Sequence, residues 1–292
     1  MYTQNNTYSS FGTSRSLRSW GLFVLLVLGF SQAYAQLTLN FGDSADFVLL
    51  TSNGSAGAVT WSADSGVGGV SGHVAVSLTV NQANTMYYSN AIDPETYALT
   101  ASYYFLADAF TANSNVSRIA LGISTGTTDN LSGATAPIMA RLIKNANATS
   151  ATFEIRSAAA GFNNTTGVTL TDGNWYKLTA AFTPNATSDN YSVSATLEDY
   201  GSDGLTFQSL VASASGTRNS ATTFFSSGEA LPVYFGFMAQ DNGGGAIAID
   251  NLTVPGTAAI PEPSAAAWLT GGAVLALGIM HRLRRGSKGE GA

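Results

Sequence analysis

The feature that most constrains this chain is an alternation of apolar and small polar residues at period two, recurring from Leu37 to Val254. Val74, Val76, Leu78 and Val80 alternate with Ala75, Ser77 and Thr79, and Ile119, Leu121 and Ile123 with Ala120 and Gly122. Tyr176, Leu178, Ala180 and Phe182 share one parity, and Trp175, Lys177 and Thr179 the other. Tyr191, Val193, Ala195 and Leu197 repeat the pattern, as do Val233, Phe235 and Phe237. Successive side chains of a strand point to opposite faces, so this pattern builds strands buried on one side. No segment sustains the period of an amphipathic helix. Turn clusters such as Ser65-Gly66-Val67-Gly68-Gly69, Asp172-Gly173-Asn174 and Asp241-Asn242-Gly243-Gly244-Gly245 separate the runs. Together they predict an all-β antiparallel sandwich. About a dozen strands in one domain suit a large jelly roll.

Charge narrows the partners. Between Gln36 and Pro255 the basic residues are Arg118, Arg141, Lys144, Arg156, Lys177 and Arg218, against sixteen acidic ones. No basic stripe runs through the domain, which argues against nucleic acid as a partner. Cysteine is absent and only two histidines occur, His73 and His281, so thiol chemistry and polyhistidine metal sites are excluded. With 45% apolar residues the chain can still fill a core.

The two ends read differently from the middle. Arg15 and Arg18 precede an apolar stretch, Trp20 to Phe30, and Ala33-Tyr34-Ala35 supplies small residues before Gln36. This is the layout of a secretory signal peptide cleaved after Ala35, handled by Sec export machinery; an uncleaved anchor is the alternative. At the other end Pro261-Glu262-Pro263 precedes an uncharged apolar run, Ser264 to Met280, and then His281-Arg282-Leu283-Arg284-Arg285. The run is near the lower limit of about 17 residues for a bilayer span. Arg282, Arg284 and Arg285 would stop transfer and stay cytoplasmic, leaving the acidic domain outside. The chain thus divides into a signal peptide (1–35), a β-sandwich (36–255), a linker with the Pro-Glu-Pro tripeptide (256–263), a transmembrane helix (264–281) and a basic cytoplasmic tail (282–292).

In order and position, those C-terminal parts resemble the PEP-CTERM sorting signal. The resemblance implies a Gram-negative, exopolysaccharide-forming bacterium and an exosortase-type processing enzyme that reads Pro261, Glu262 and Pro263. It also implies at least transient membrane anchoring, followed by a place at the cell surface or in the extracellular matrix. An ordinary C-terminal anchor behind a Pro-rich linker is the alternative.

Within the sandwich, Asp172-Gly173-Asn174-Trp175-Tyr176-Lys177-Leu178 and Ala246-Ile247-Ala248-Ile249-Asp250-Asn251-Leu252-Thr253-Val254 resemble strands of concanavalin-A-like and laminin-G-like jelly rolls. That resemblance implies a structural calcium ion between Asp250 and Asp43 or Asp46. Ile247 and Ile249 share a parity that Leu252 and Val254 do not, so a bulge is predicted at Asp250-Asn251. The alternative is that Asp250 accepts hydrogen bonds from a neighbouring turn.

Catalytic signals are weak. Glu198, Asp199 and Asp203 sit in a turn-like segment without the alternating carboxylates of a glycosidase, and no nucleophile elbow accompanies His73. The expectation is a non-enzymatic sandwich that binds or organises exopolysaccharide. A structural matrix protein without a ligand site and a glycoside hydrolase are the alternatives. Candidate glycan-facing aromatics are Trp61, Trp175 and Tyr200, with one member each of Tyr87/Tyr88 and Tyr103/Tyr104 expected outside or in a loop groove; Trp175 is assigned to packing.

Overall fold

The computed structural model describes residues 36–255, apart from 54–58, 70, 79–83, 94–98, 108–115, 129–130, 132–137, 158–162, 186–189, 220–224, 227–228 and 242–244. Ala33, Ala35, the Pro261–Pro263 tripeptide, the apolar run and Arg282, Arg284 and Arg285 lie outside the described residues. Among the described residues no helix is long and apolar enough to cross a membrane.

The strands are, in chain order, β1 (Gln36–Leu39), β2 (Leu50–Asn53), β3 (Val59–Ser62), β4 (His73–Leu78), β5 (Asn84–Tyr88) and β6 (Leu99–Leu106). There follow β7 (Ser117–Ser124), β8 (Ile138–Lys144), β9 (Ala151–Arg156), β10 (Asn163–Val168), β11 (Trp175–Asn185) and β12 (Asn190–Asp199). The last are β13 (Ser209–Asn219), β14 (Phe225–Ser226), β15 (Glu229–Ala230), β16 (Tyr234–Asp241) and β17 (Gly245–Pro255). The surplus over a dozen comes from short pieces such as β14 and β15, too brief to show alternation. One helix, α1 (Ser44–Val48), also forms; it is a single turn, below what periodicity can reveal.

All pairings are antiparallel. The first sheet runs β13-β12-β11-β6-β17-β4-β3, with β1 also on β17. The second runs β10-β9-β8-β7-β16-β5-β2. Strands β16 and β17 thus occupy the middle of one sheet each and bind strands from the first half of the chain. The predicted irregularity is present, since the β17–β6 register shifts between Asp250 and Thr253 and Asn251 adopts a φ of 49°.

Between the sheets lies one core. Val74, Val76, Phe105, Leu178, Phe182, Ile247 and Ile249 face Ile119, Leu121, Phe153, Phe235 and Phe237, all within 1% of complete burial. Aromatic rings span the interface, with Tyr103 and Phe237 at 5.6 Å and Phe182 and Phe235 edge-on at 6.0 Å. Tyr103 ties the sheets together, its hydroxyl donating to the Ala120 carbonyl at 2.9 Å. Burial holds that phenol well above its ordinary pKa, so it stays a donor. Tyr103→Phe keeps the ring and removes this bond. The expected loss is about 1–2 kcal/mol, read as a fall of a few degrees in the thermal midpoint.

Candidate functional site

With the core parity fixed, the residues between core positions on β6, β11, β12 and β13 must face outward. Register aligns them in rows. Tyr104 lies opposite Lys177, Lys177 opposite Glu198, and Glu198 opposite Leu210. The next row holds Ser102, Thr179, Thr196 and Ser213, and the one after it Thr100, Ala181, Ser194 and Ser215. Such small side chains leave a shallow groove of about 350 Å³, floored by Thr179, Ala181, Ser194, Thr196, Ser213 and Ser215. The face is flat and rich in hydroxyls, with its large residues gathered at one end.

That end is built by the turn between β12 and β13. Asp199 Oδ1 accepts from Gly201 N at 2.7 Å, and Asp203 Oδ1 accepts from Leu205 N at 2.9 Å, two Asx turns in succession. The Asn174 amide also donates to both Asp199 oxygens. Backbone bonds seat the loop on Trp175, whose N–H donates to the Gly201 carbonyl at 2.8 Å and whose carbonyl accepts from Tyr200 N at 2.9 Å. Gly204 (φ 71°) lies so close to Trp175 that a Cβ there would stand 3.0 Å from the indole. Trp175 therefore packs, as expected, and Asp199 and Asp203 are turn residues.

The seated loop presents an aromatic platform. Tyr200 stands edge-on to Tyr104 at 5.1 Å and to Phe207 at 5.9 Å. Lys177 Nζ lies 5.6 Å from the Tyr104 ring centre, and the Tyr200 hydroxyl donates to Glu198 Oε2 at 3.4 Å. Desolvation, then Tyr200 and Glu198, hold the Tyr104 phenol above its usual range, so it is neutral at physiological pH. Leu205, Phe207 and Leu210 are 66%, 52% and 55% exposed.

The sequence candidates divide. Of Tyr103 and Tyr104 one is core and the other outward, as parity required. Of Tyr87 and Tyr88 neither is outside. Both are buried, because Tyr87 lies against Gly236 on the outer side of the second sheet, where Leu131 packs in a small cluster with Ala120, Met139 and Met238. Trp61 is half-buried and donates to the Phe41 carbonyl. His73 Nδ1 lies 2.6 Å from the Asp64 carbonyl on a half-buried strand position. Phe207, Lys177 and Leu210 had not been singled out. The signal for Phe207 is a second aromatic, after Tyr200, in a Gly- and Asp-rich turn.

The calcium pairing does not fit the residues present. Asp250 is buried, and its Oδ2 accepts from Val67 N at 2.7 Å and Ser71 Oγ at 2.8 Å, while Oδ1 accepts from Asn251 N at 2.6 Å. Asp43 instead caps α1, accepting from Ala45 N, and Asp46 accepts from Phe41 N. N–H and O–H donors already engage both Asp250 oxygens and one oxygen each of Asp43 and Asp46, and no group of three or more metal-ligating side chains occurs among the described residues. Asp250 is thus the anchor of the 66–71 turn, the alternative reading of the sequence. Gly66 permits this closeness, since a Cβ there would meet Asp250 Oδ2 at 2.6 Å. Burial raises the Asp250 pKa, against the three hydrogen bonds that lower it.

The two sheets define an antiparallel β-sandwich of jelly-roll type. No protein-family model and no curated protein matches the chain. Among solved structures it is similar to peanut lectin with a nine-residue peptide, with a TM-score of 0.47, 14% identity and coverage of 75% of this chain and 97% of that one. A protein of unknown function from Shewanella oneidensis MR-1 gives a TM-score of 0.46, 17% identity and coverage of 84% and 95%. The potassium-bound carbohydrate recognition domain of Emp46p gives 0.45, 12%, and 77% and 97%.

Asp250→Ala leaves the buried Val67 N–H without its acceptor and the Ser71 hydroxyl with only the Val67 carbonyl, and a loss of about 2–3 kcal/mol is expected in denaturant unfolding. Asp250→Asn keeps one acceptor oxygen and is expected to lose less. Chelator is expected to leave the melting midpoint unchanged.

Proposed function

We propose that this chain is an exported surface protein whose sandwich binds polysaccharide, without cleaving it, on the outer face of the first sheet. The observation that carries the reading is the cluster of half-buried Tyr104 and Tyr200 with exposed Phe207 beside the hydroxyl-lined groove. The C–H face of a pyranose ring packs on aromatic carbon, and aromatic rings give contact area at low entropic cost. Sugar hydroxyls would find Lys177 and Glu198 beside the rings and Thr and Ser side chains along the groove. Two Asx turns and the Trp175 seat hold the platform in place beforehand, which reduces the ordering cost of binding. Hydrolysis would require two carboxyl groups facing across the bond. Next to Glu198 on this strand, Asp199 is engaged by Asn174 and Gly201, which supports a binding role over a cleaving one.

The test is affinity electrophoresis of the full chain through gels containing neutral glucan or the producer's own polysaccharide. Retardation is expected, and Tyr200→Ala should weaken it about ten-fold, equivalent to about 1.4 kcal/mol, with little change in melting point. A chain retarded by no polysaccharide would be a structural matrix protein instead.

Export and sorting belong to the same reading and rest on the ends of the sequence. Sec would carry the chain out, and an exosortase-type enzyme would process it at Pro261-Glu262-Pro263, releasing it to the surface or matrix. Replacing these three residues with alanine is expected to leave the chain in the membrane fraction. An unchanged distribution between membrane and medium would count against sorting by this tripeptide.

A further inference from the structure

The aromatic cluster and the hydroxyl rows share one surface, and their spacing along the strands limits what can occupy it. Tyr104, Tyr200 and Phe207 meet at one end of the outer face of β6, β11, β12 and β13. Moving along the strands away from them, register brings first Lys177 and Glu198, then Thr179, Thr196 and Ser213, then Ala181, Ser194 and Ser215. A further row of small hydroxyl side chains follows, Thr183, Ser192 and Thr217, with the Ser192 and Thr217 hydroxyls 3.3 Å apart. The groove of about 350 Å³ runs over the two middle rows, and its lining is uncharged. From Ser194 to Tyr200 the extended backbone covers about 20 Å at the rise of a strand.

A surface of this shape cannot hold a single sugar residue tightly. Small-molecule sites of high affinity bury most of the ligand in a concavity. Here Ser, Thr and Ala side chains rise from a sheet and meet a ligand from one side. Phe207 is exposed and Tyr104 and Tyr200 are half-buried, so contact with the rings is one-sided as well. Affinity must then accumulate over many modest contacts. A polymer meets that condition, because each further sugar adds contacts without a second loss of translational and rotational freedom. A ligand that touches both Tyr200 and Ser194 has to run along the strands. On the reading of this face as a polysaccharide-binding one, we infer that the ligand is an internal stretch of a neutral, linear polysaccharide lying along β11 and β12. It is gripped over about 20 Å, with the aromatic cluster holding one end and Thr196 and Ser194 making the contacts that select for length.

The test is titration of the full chain with two ladders of oligosaccharides, one cut from neutral glucan and one from the producer's own polysaccharide. Each ladder runs from the monosaccharide to the polymer. Affinity is expected to rise about ten-fold between the disaccharide and an oligosaccharide that spans about 20 Å, and then to level off. Thr196→Val keeps the β-branched shape and removes the hydroxyl. It should weaken the spanning oligosaccharides about five-fold and leave the disaccharide unchanged. Ser194→Ala is a second variant with the same expected pattern, whereas Tyr200→Ala should weaken binding at every length. Equal affinity for disaccharide and polymer would overturn the inference and leave the aromatic-face reading intact, as a site for single sugars or chain ends. Folded Thr196→Val and Ser194→Ala chains that match the parent at every length would overturn it too. Absence of binding at every length on both ladders, polymers included, is failure of the polysaccharide reading itself, and the inference falls with it.

Discussion

Burial of the space between the two sheets fixes the parity of the strands that face it, and the surface chemistry follows from that one constraint. Tyr103, Phe105, Tyr176 and Leu178 must point inward, so Tyr104 and Lys177 must point out. The same applies on the second sheet, where Ile119, Leu142 and Ile155 force Arg118, Arg141 and Arg156 to the other side. A slip of one residue on any of these strands would exchange core for surface along its whole length. The core therefore sets which side chains reach each outer face, and contacts on that face then arrange them.

Asp250 shows how a polar residue can serve such a fold. It sits where the β17–β6 register shifts, and the break in the ladder turns its carboxylate toward the 66–71 turn. A buried carboxylate is tolerable because three donors converge on it, and in return it fixes a Gly-rich turn that has few side chains of its own to pack. The irregularity and the acid belong together.

The architecture was largely legible from alternation alone, since strands long enough to alternate, such as β11 and β12, declare their faces. The bulge at Asp250 was legible for the same reason, as a change of parity between Ile249 and Leu252. What could not be read was which distant turn would meet a given side chain. Asp43 follows β1 and Asp250 lies in the middle of β17, and nothing local distinguishes a helix cap from a turn anchor. Tyr87 failed differently, because parity says that it faces away from the main core but not that Leu131 packs on that face. The aromatic platform needed tertiary information as well. Tyr104, Tyr200 and Phe207 meet only because the β12–β13 turn folds back onto Trp175. The arginines were visible as a count, and their gathering on adjacent strands appears only once β7, β8 and β9 are aligned.

The positions of β16 and β17 bear on the order of assembly. Each joins the two parts of its sheet, so the second sheet has open inner edges until β16 is available and the first until β17 is. Contacts between distant parts of a chain form late and slowly. A domain completed by its last strands cannot close before those strands have been made.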